Sequence, residues 1–396
     1  MRAAKSNLPY YVVAAMFAGL VIELTAYLAI HFVLLPREPA FFFRSPSITA
    51  AEFDRYMSIR DSLLGWPGKR TDEKGVEVIE SRPIPAYPTA GNECISLYGD
   101  SFTYGDEVEH AEAWSNVLSQ QVRCRVGNYG IGGYGTDQAY LRFVKNTHDS
   151  AGVAILGIFP ENVLRNVNRY RYFLDARTTF SLKPRFILEK DQLKLVEIPV
   201  WSQEEFLVAT QNPEKAFEFE TFLPDSEFGP VSLSFPYSWK AIKLFLSDRA
   251  RSAMLGRTSW EVFYREDHPT HALRITSEIA EQFVKTGRSR GKSPFVLIYP
   301  TARSFKHFKE TGELVTRPLS DDLGRRDIPT LDLHEEFGKR VEKQGFCDLL
   351  TQPAVCAGHF NLKGNVMVSE IVHEYLVRMK LLDAGALPAA AMQEAG

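Results

Sequence analysis

Cysteine is scarce in this sequence, with four in 396 residues, and no two of them form a CxxC pair. No His/Cys spacing of the kind that holds zinc stands out, so neither a metal site nor a cofactor is expected. Charge of one sign is also lacking. The formal net charge is −3, which removes the basic excess that nucleic-acid binding calls for. The four cysteines, Cys94, Cys124, Cys347 and Cys356, allow three pairings, and the short separation of Cys347 and Cys356 favours that one. At 45% hydrophobic and 24% charged, the composition is that of a chain that buries a core of one large or two modest domains.

What the sequence has in excess lies at its start. From Leu8 to Pro36 it is almost wholly apolar, longer than the ~20 residues that cross a bilayer as helix. The run is too long for the apolar region of a cleaved signal, and no small-x-small site follows it. We therefore expect residues 1–36 to be a single uncleaved membrane anchor. Arg2 and Lys5 precede it, and Arg37, Arg44 and Arg55 follow it, so the basic count does not set its direction. The short leader favours a signal anchor with the bulk of the chain outside the cytoplasm. Glu23 lies inside the span, where an ionised acid costs about 2.5–3.5 kcal/mol. It is expected either to be paired within the helix or to contact a partner membrane protein.

Residues 37–92 read as a connector: one helix within Ser47–Trp66, then an exposed, irregular stretch rich in proline, glycine and charge. From Glu93 the pattern becomes strand, helix, strand, helix, strand, ending with the apolar run Gly152–Pro160. That alternation predicts a doubly wound parallel α/β sheet of flavodoxin-like type over 93–385. Residues 170–290 interrupt it and read as a mixed insertion, opening with a hairpin that turns at Lys190-Asp191. The α/β rhythm returns at Ser293 and closes with a helix after His359. The tail 386–396 is expected to be disordered.

In such a sheet, ligands gather at the carboxyl ends of the strands. Four features fall there: Ser101 in the stretch LYGDSFTYG, the run Asn128–Gly133, Asn162 in Pro160-Glu161-Asn162, and His359. A serine hydroxyl with a histidine base can attack an ester carbonyl. A glycine N–H and an asparagine amide can hold the resulting oxyanion. Asp100 reads as a brace of the turn. Gly130, Gly132 and Gly135 also fit a GxGxxG dinucleotide pattern, but they follow the second strand of the domain and not the first. None of the other eight histidines has a setting comparable to that of His359.

These blocks resemble the SGNH (GDSL-type) hydrolase family over about 93–166 and 294–380. The resemblance implies Ser101 as nucleophile and His359 as base, with Ser101, Gly133 and Asn162 forming the oxyanion hole. Two departures stand out. The third block lacks the aspartate that usually follows its asparagine. The aspartate usually found three residues before the histidine is Cys356 here. Asp348, upstream on the same loop, is the acid expected to substitute, brought near by a Cys347–Cys356 link. Arg165, Asn166 and Arg169 form a donor-rich stretch that could floor a site for a polyhydroxylated or anionic substrate.

The expected function is that of a membrane-anchored, extracytoplasmic serine esterase or O-acyltransferase. Its substrate would be a carbohydrate or other ester, and an acyl-enzyme would form on Ser101. A lipase or thioesterase using 170–290 as a lid, or an inactive glycan-binding relative, are the alternatives.

Overall fold

Five short strands form an all-parallel sheet in the computed structural model: β1 Glu93–Tyr98, β2 Arg125–Asn128, β3 Val153–Ile158, β4 Ser293–Ile298 and β5 Thr330–Asp332. Their spatial order is β2-β1-β3-β4-β5, a doubly wound arrangement whose strand order reverses beside β1. Alternate side chains leave opposite faces. Ile95 and Leu97 join Trp114, Leu118, Val368 and Val372 in one apolar cluster, under the helices Trp114–Val122 and Leu362–Arg378. Tyr98 points the other way and meets Phe143 and Phe283 edge-on, under the helices Thr136–Lys145 and Ala272–Ser289. With both faces covered, the central strands Val153–Ile158 and Ser293–Ile298 are nearly continuous apolar runs, while the edge strands Arg125–Asn128 and Thr330–Asp332 carry polar residues.

The structure describes residues 8–381 except 72, 74, 90, 256 and 257. The tail 386–396 and the leader with Arg2 and Lys5 lie outside the described residues. The chain divides into two compact units. The sheet unit comprises Ile59–Val167, Lys183–Ile198 and the chain from Trp260 on, and the other comprises the chain up to Ser58, Asn168–Leu182 and Pro199–Ser259.

These boundaries differ from those read off the sequence. The stretch expected as a connector is divided between the units at Ser58/Ile59, and its second half is built into the sheet unit. Arg82 there is buried and donates to the carbonyls of Tyr104, Gly105 and Val108 at 2.6–2.9 Å. The helix Ala272–Ser289, inside the 170–290 insertion as read, packs on the sheet. Its amphipathic spacing is the same whether the partner is a sheet or an inserted domain. The hairpin is present as Arg185–Glu189 paired with Gln192–Val196. Lys190 and Asp191 turn it with φ of 50° and 64°, the twist that two-residue hairpins favour.

In the other unit, helix Leu8–Ala29 continues as helical backbone to Arg37, and this 30-residue stretch is long and apolar enough to cross a membrane. Phe43, Phe53, Tyr170, Phe173, Phe206 and Phe217 form an aromatic core. The Glu220 carboxylate accepts from the backbone N–H groups of Arg169, Tyr170 and Phe222 at 2.5–3.0 Å.

Candidate active site

The chain leaves β1 through Gly99 and Asp100 and enters a single helical turn, Ser101–Tyr104. Asp100 caps that turn, its Oδ1 accepting from the Phe102 N–H at 3.0 Å. Gly105 closes it at φ 79°, donating its N–H to the Ser101 carbonyl. Two close approaches require glycine. A Cβ on Gly99 would collide with the Thr103 side chain, and one on Gly130 would lie 2.6 Å from the Tyr104 nitrogen. Asn128 fastens the second block to the first by donating to the Thr103 carbonyl at 2.8 Å and accepting from the Gly130 N–H at 3.1 Å. Gly130 therefore serves the packing of the serine turn. Ser101 thus stands at the carboxyl end of β1, where the strand order reverses and ligands of such sheets bind.

Asp100 is fully buried, and its second oxygen accepts from Asn162 Nδ2 at 3.0 Å and Arg165 Nη1 at 3.4 Å. Burial pushes the Asp100 carboxyl above its ordinary range, against the pull of Arg165, the Phe102 N–H and Asn162. Asn162 Nδ2 also donates to the Tyr134 carbonyl at 3.1 Å, while its Oδ1 accepts from the Phe159 N–H at 2.7 Å. Both amide hydrogens of Asn162 are therefore occupied within the fold. In this geometry Asn162 braces the serine turn, and it presents no amide hydrogen to an oxyanion. Gly133 has φ 79°, in the region that favours glycine.

The donor-rich stretch after Asn162 is likewise internal. Arg165 binds Glu161 at 3.0 Å and the Tyr134 carbonyl at 3.1 Å. Asn166 donates to Thr276 at 2.8 Å, and Arg169 donates to the Glu218 carbonyl at 2.8 Å. All three are buried, so they build the fold where a substrate floor was expected. Their polarity pointed to a surface because buried arginines are uncommon unless paired.

His359 lies on β7, Ala357–Phe360, which pairs antiparallel with β6, Leu350–Gln352. The loop is closed by a Cys347–Cys356 disulfide, and the other two cysteines pair as Cys94–Cys124. Asn361 caps the final helix, accepting from the Gly364 N–H at 3.2 Å. It also donates to the Asp348 and Leu350 carbonyls at 2.9 Å. The strand with His359 packs on the Ser101 turn, and the imidazole lies over the Phe102 ring with centroids 4.8 Å apart.

The carboxylate beside His359 belongs to Glu107, six residues after the serine. Its Oε1 lies 3.2 Å from Nδ1, at ion-pair distance though off hydrogen-bond alignment; such pairs often tighten only when substrate binds. Its Oε2 accepts from the His359 N–H at 3.2 Å and from the Thr351 hydroxyl. Burial raises the Glu107 carboxyl, but the Thr351 hydroxyl, the His359 N–H and the imidazole outweigh it and hold the group below its ordinary range. Asp348, the acid expected in this role, meets the loop through its backbone carbonyl. No sequence motif marks Glu107. The available signal was its position on the loop just after Ser101.

A second Ser–His–Asp set is also present. His334 Nδ1 is 2.7 Å from Asp332 Oδ1, and its Nε2 is 2.7 Å from Ser304 Oγ. Its distances are better than those around His359, contrary to the expectation that no other histidine has a comparable setting. Ser304 and His334 are each only 1% exposed, however, and Ser304 is engaged in a capping box with Thr301. The His359 side chain is 20% exposed. Access therefore separates a structural set from a candidate catalytic one.

No family model matches the sequence, and no curated protein matches it. Among solved structures, the chain is similar to a member of the lipolytic protein G-D-S-L family from Veillonella parvula DSM 2008, at 10% identity over 72% of this chain and 98% of that one, with a TM-score of 0.35. It is also similar to an alpha/beta hydrolase enzyme from the metagenome of Lake Arreo, Spain, at 11% identity over 76% and 100%, with a TM-score of 0.36.

Proposed function

We propose that the chain is a serine esterase or O-acyltransferase, anchored by its N-terminal helix and working outside the cytoplasm on ester groups of a carbohydrate. The observation that carries this reading is the placement of Ser101, His359 and Glu107 at the strand-order reversal, with the histidine accessible and an acid at its Nδ1. In the first half-reaction, Ser101 Oγ bonds to the ester carbonyl carbon while His359 Nε2 takes the hydroxyl proton. The oxyanion faces the Ser101 N–H, which lies in a first helical turn and so lacks an intrahelical partner, and Gly133 where the family resemblance puts it. Collapse expels the alcohol, which takes the proton from His359, and leaves an acyl-serine. His359 then deprotonates water or a sugar hydroxyl, which attacks the acyl carbon, and Ser101 leaves with the proton restored. Water makes the chain an esterase, and a sugar hydroxyl makes it a transferase.

Two further observations support the setting. Both disulfides fit an oxidising compartment. A cavity of about 340 Å³ beside the site, lined by Lys69, Glu80, Tyr104, Asp106 and Gly132 among others, is polar enough to receive a hydroxylated acceptor. The test is a fluorophosphonate probe on the full-length protein. Labelling that disappears in Ser101→Ala supports the reading, and absence of Ser101-dependent labelling in folded protein replaces it with the inactive glycan-binding alternative. Acetyl content of the cell's polysaccharide then separates esterase from transferase by its sign when the protein is removed.

A further inference from the structure

The helix Tyr237–Leu246 turns most of its large apolar side chains outward. Of its two lysines, Lys240 is buried and donates to Asp225 at 2.6 Å and Ser232 at 2.7 Å, and Lys243 is half-buried and donates to the Asp225 carbonyl at 3.3 Å. Leu244 is buried with them, but the other large aliphatic and aromatic side chains of the helix's outer face, Trp239, Ile242, Phe245 and Leu246, are exposed, as are Phe235 before it and Leu255 after it. At 100° per residue the four helical positions form a stripe about 120° wide. A patch of this kind on a water-facing surface marks an interaction site.

What covers it follows from its neighbour. Glu23, inside the apolar N-terminal helix, accepts from the backbone N–H groups of Tyr237 and Ser238 at 2.7 and 3.3 Å and from the Ser238 hydroxyl. Tyr27 and His31 pack on the Tyr237 ring, with centroids 5.0 and 5.5 Å apart. Ile30 joins Leu244 and Ala250 in one apolar cluster. Glu23, expected either to be paired within its own helix or to contact a partner membrane protein, thus meets another helix of its own chain. Glu23 lies 15 residues beyond Leu8, the first described residue, which is about 22 Å along a helix. A hydrocarbon core is about 30 Å thick. If Leu8 sits at one edge, Glu23 and the start of the Tyr237–Leu246 helix lie inside the apolar layer, short of the far edge.

We propose that the Tyr237–Leu246 helix is a second membrane element, lying in the outer part of the bilayer beside the anchor with its exposed stripe against lipid acyl chains. Glu23 is the clasp: inside the layer it gives two backbone N–H groups of a helix start an acceptor where water is absent. The Trp239 side chain, apolar with one N–H, suits the depth at which the helix meets the headgroups. This inference rests on the anchor reading above, and the experiment is arranged to separate the two.

Nitroxide labels are placed on the full-length protein in phosphatidylcholine vesicles at three introduced cysteines: Phe17→Cys in the anchor, Phe245→Cys on the stripe, and Asp191→Cys at the exposed hairpin turn of the sheet unit. Collision rates with oxygen, which concentrates in lipid, and with a water-soluble nickel chelate are compared. The expected result is a higher oxygen-to-nickel ratio at 17 and 245 than at 191. A lipid ratio at 17 with a water ratio at 245 overturns the inference and leaves the anchor standing. A water ratio at 17 overturns the anchor reading and the inference with it. A label at 245 that meets neither collider overturns the lipid assignment in favour of a second copy or a partner helix. As a second measurement, Glu23→Gln keeps an acceptor for Ser238 and should retain the lipid ratio at 245, whereas Glu23→Leu should lower it.

Discussion

Glu107→Gln isolates the acid that faces His359. The Oε1–Nδ1 separation is 3.2 Å, which gives an ion-pair attraction of about 1.3 kcal/mol in water and about 5 kcal/mol at an effective dielectric constant of 20. The Glu107 side chain is 40% exposed, so solvent screening holds the value near the water limit, about 1–2 kcal/mol. Loss of that stabilisation from the imidazolium-bearing transition state slows acylation about 5- to 30-fold. This is well short of the ~10⁴ that follows loss of the buried acid in a serine-protease triad. The assay is kcat and KM for a short-chain p-nitrophenyl ester with the full-length protein in detergent. We expect kcat to fall with KM unchanged, Glu107→Asp to recover part of the loss, and Asp348→Asn to stay within about twofold of wild type. The pH dependence has a definite sign. A carboxylate held below its ordinary value is ionised at neutral pH, and its contribution disappears only as pH falls below about 4.5. Full kcat in Glu107→Gln, or an equal loss in Asp348→Asn, would refute the assignment.

Ser304→Ala should keep full fluorophosphonate labelling while Ser101→Ala loses it; labelling that follows Ser304 would move the active site to the His334 set. Gly358→Ala, at φ 88°, brings a Cβ into the Thr351 side chain and within 2.7 Å of Glu107 Oε2. It should lower kcat at least as much as Glu107→Gln, and an unchanged kcat would show that the Glu107 seat is not needed. Lys183→Met leaves the buried Asp137 carboxylate without its ion pair and should cost about 3–5 kcal/mol in urea unfolding. Burial already holds Asp137 above its ordinary range, so that cost should shrink as pH falls and the carboxylate protonates. Cys356→Ser opens a loop of about ten residues and should cost about 3 kcal/mol, with kcat falling as the histidine loop loosens.

The sheet was legible because its information is local. Apolar runs of strand length alternate with helical spacing, and a buried parallel strand such as Val153–Ile158 admits few other readings. The serine turn was legible because Gly99, Asp100 and Gly105 each have a backbone reason to be there. What was not legible is set by distant partners. Arg82 and Arg165 look like solvent-facing charges until the carbonyls and carboxylates that hold them are known. Asn162 reads as a donor toward substrate, yet its two amide hydrogens meet Asp100 and the Tyr134 carbonyl. The helix Ala272–Ser289 has one apolar face, and a face does not name what it packs on.

The acid departs furthest from the motif, and the reason is geometric. An aspartate three residues before the histidine would occupy the position of Cys356, which is instead tied to Cys347. The side chain that bonds covalently to Cys347 cannot also carry a carboxylate, so the acid has to come from another element. The loop after Ser101 is tied to the histidine strand through Glu107. Glu107 has φ 67° there, and the gap left by the absent side chain of Gly358 receives its Oε2. Thr351, on β6, holds the same oxygen. On the proposed reading, the disulfide restrains the histidine loop and Glu107 supplies the charge. This division predicts that Cys356→Asp will not restore a family-like site, because it removes the loop restraint and sets a second carboxylate near Glu107. Its kcat should fall below that of Cys356→Ser, and a kcat at or above wild type would show that the aspartate position was still open.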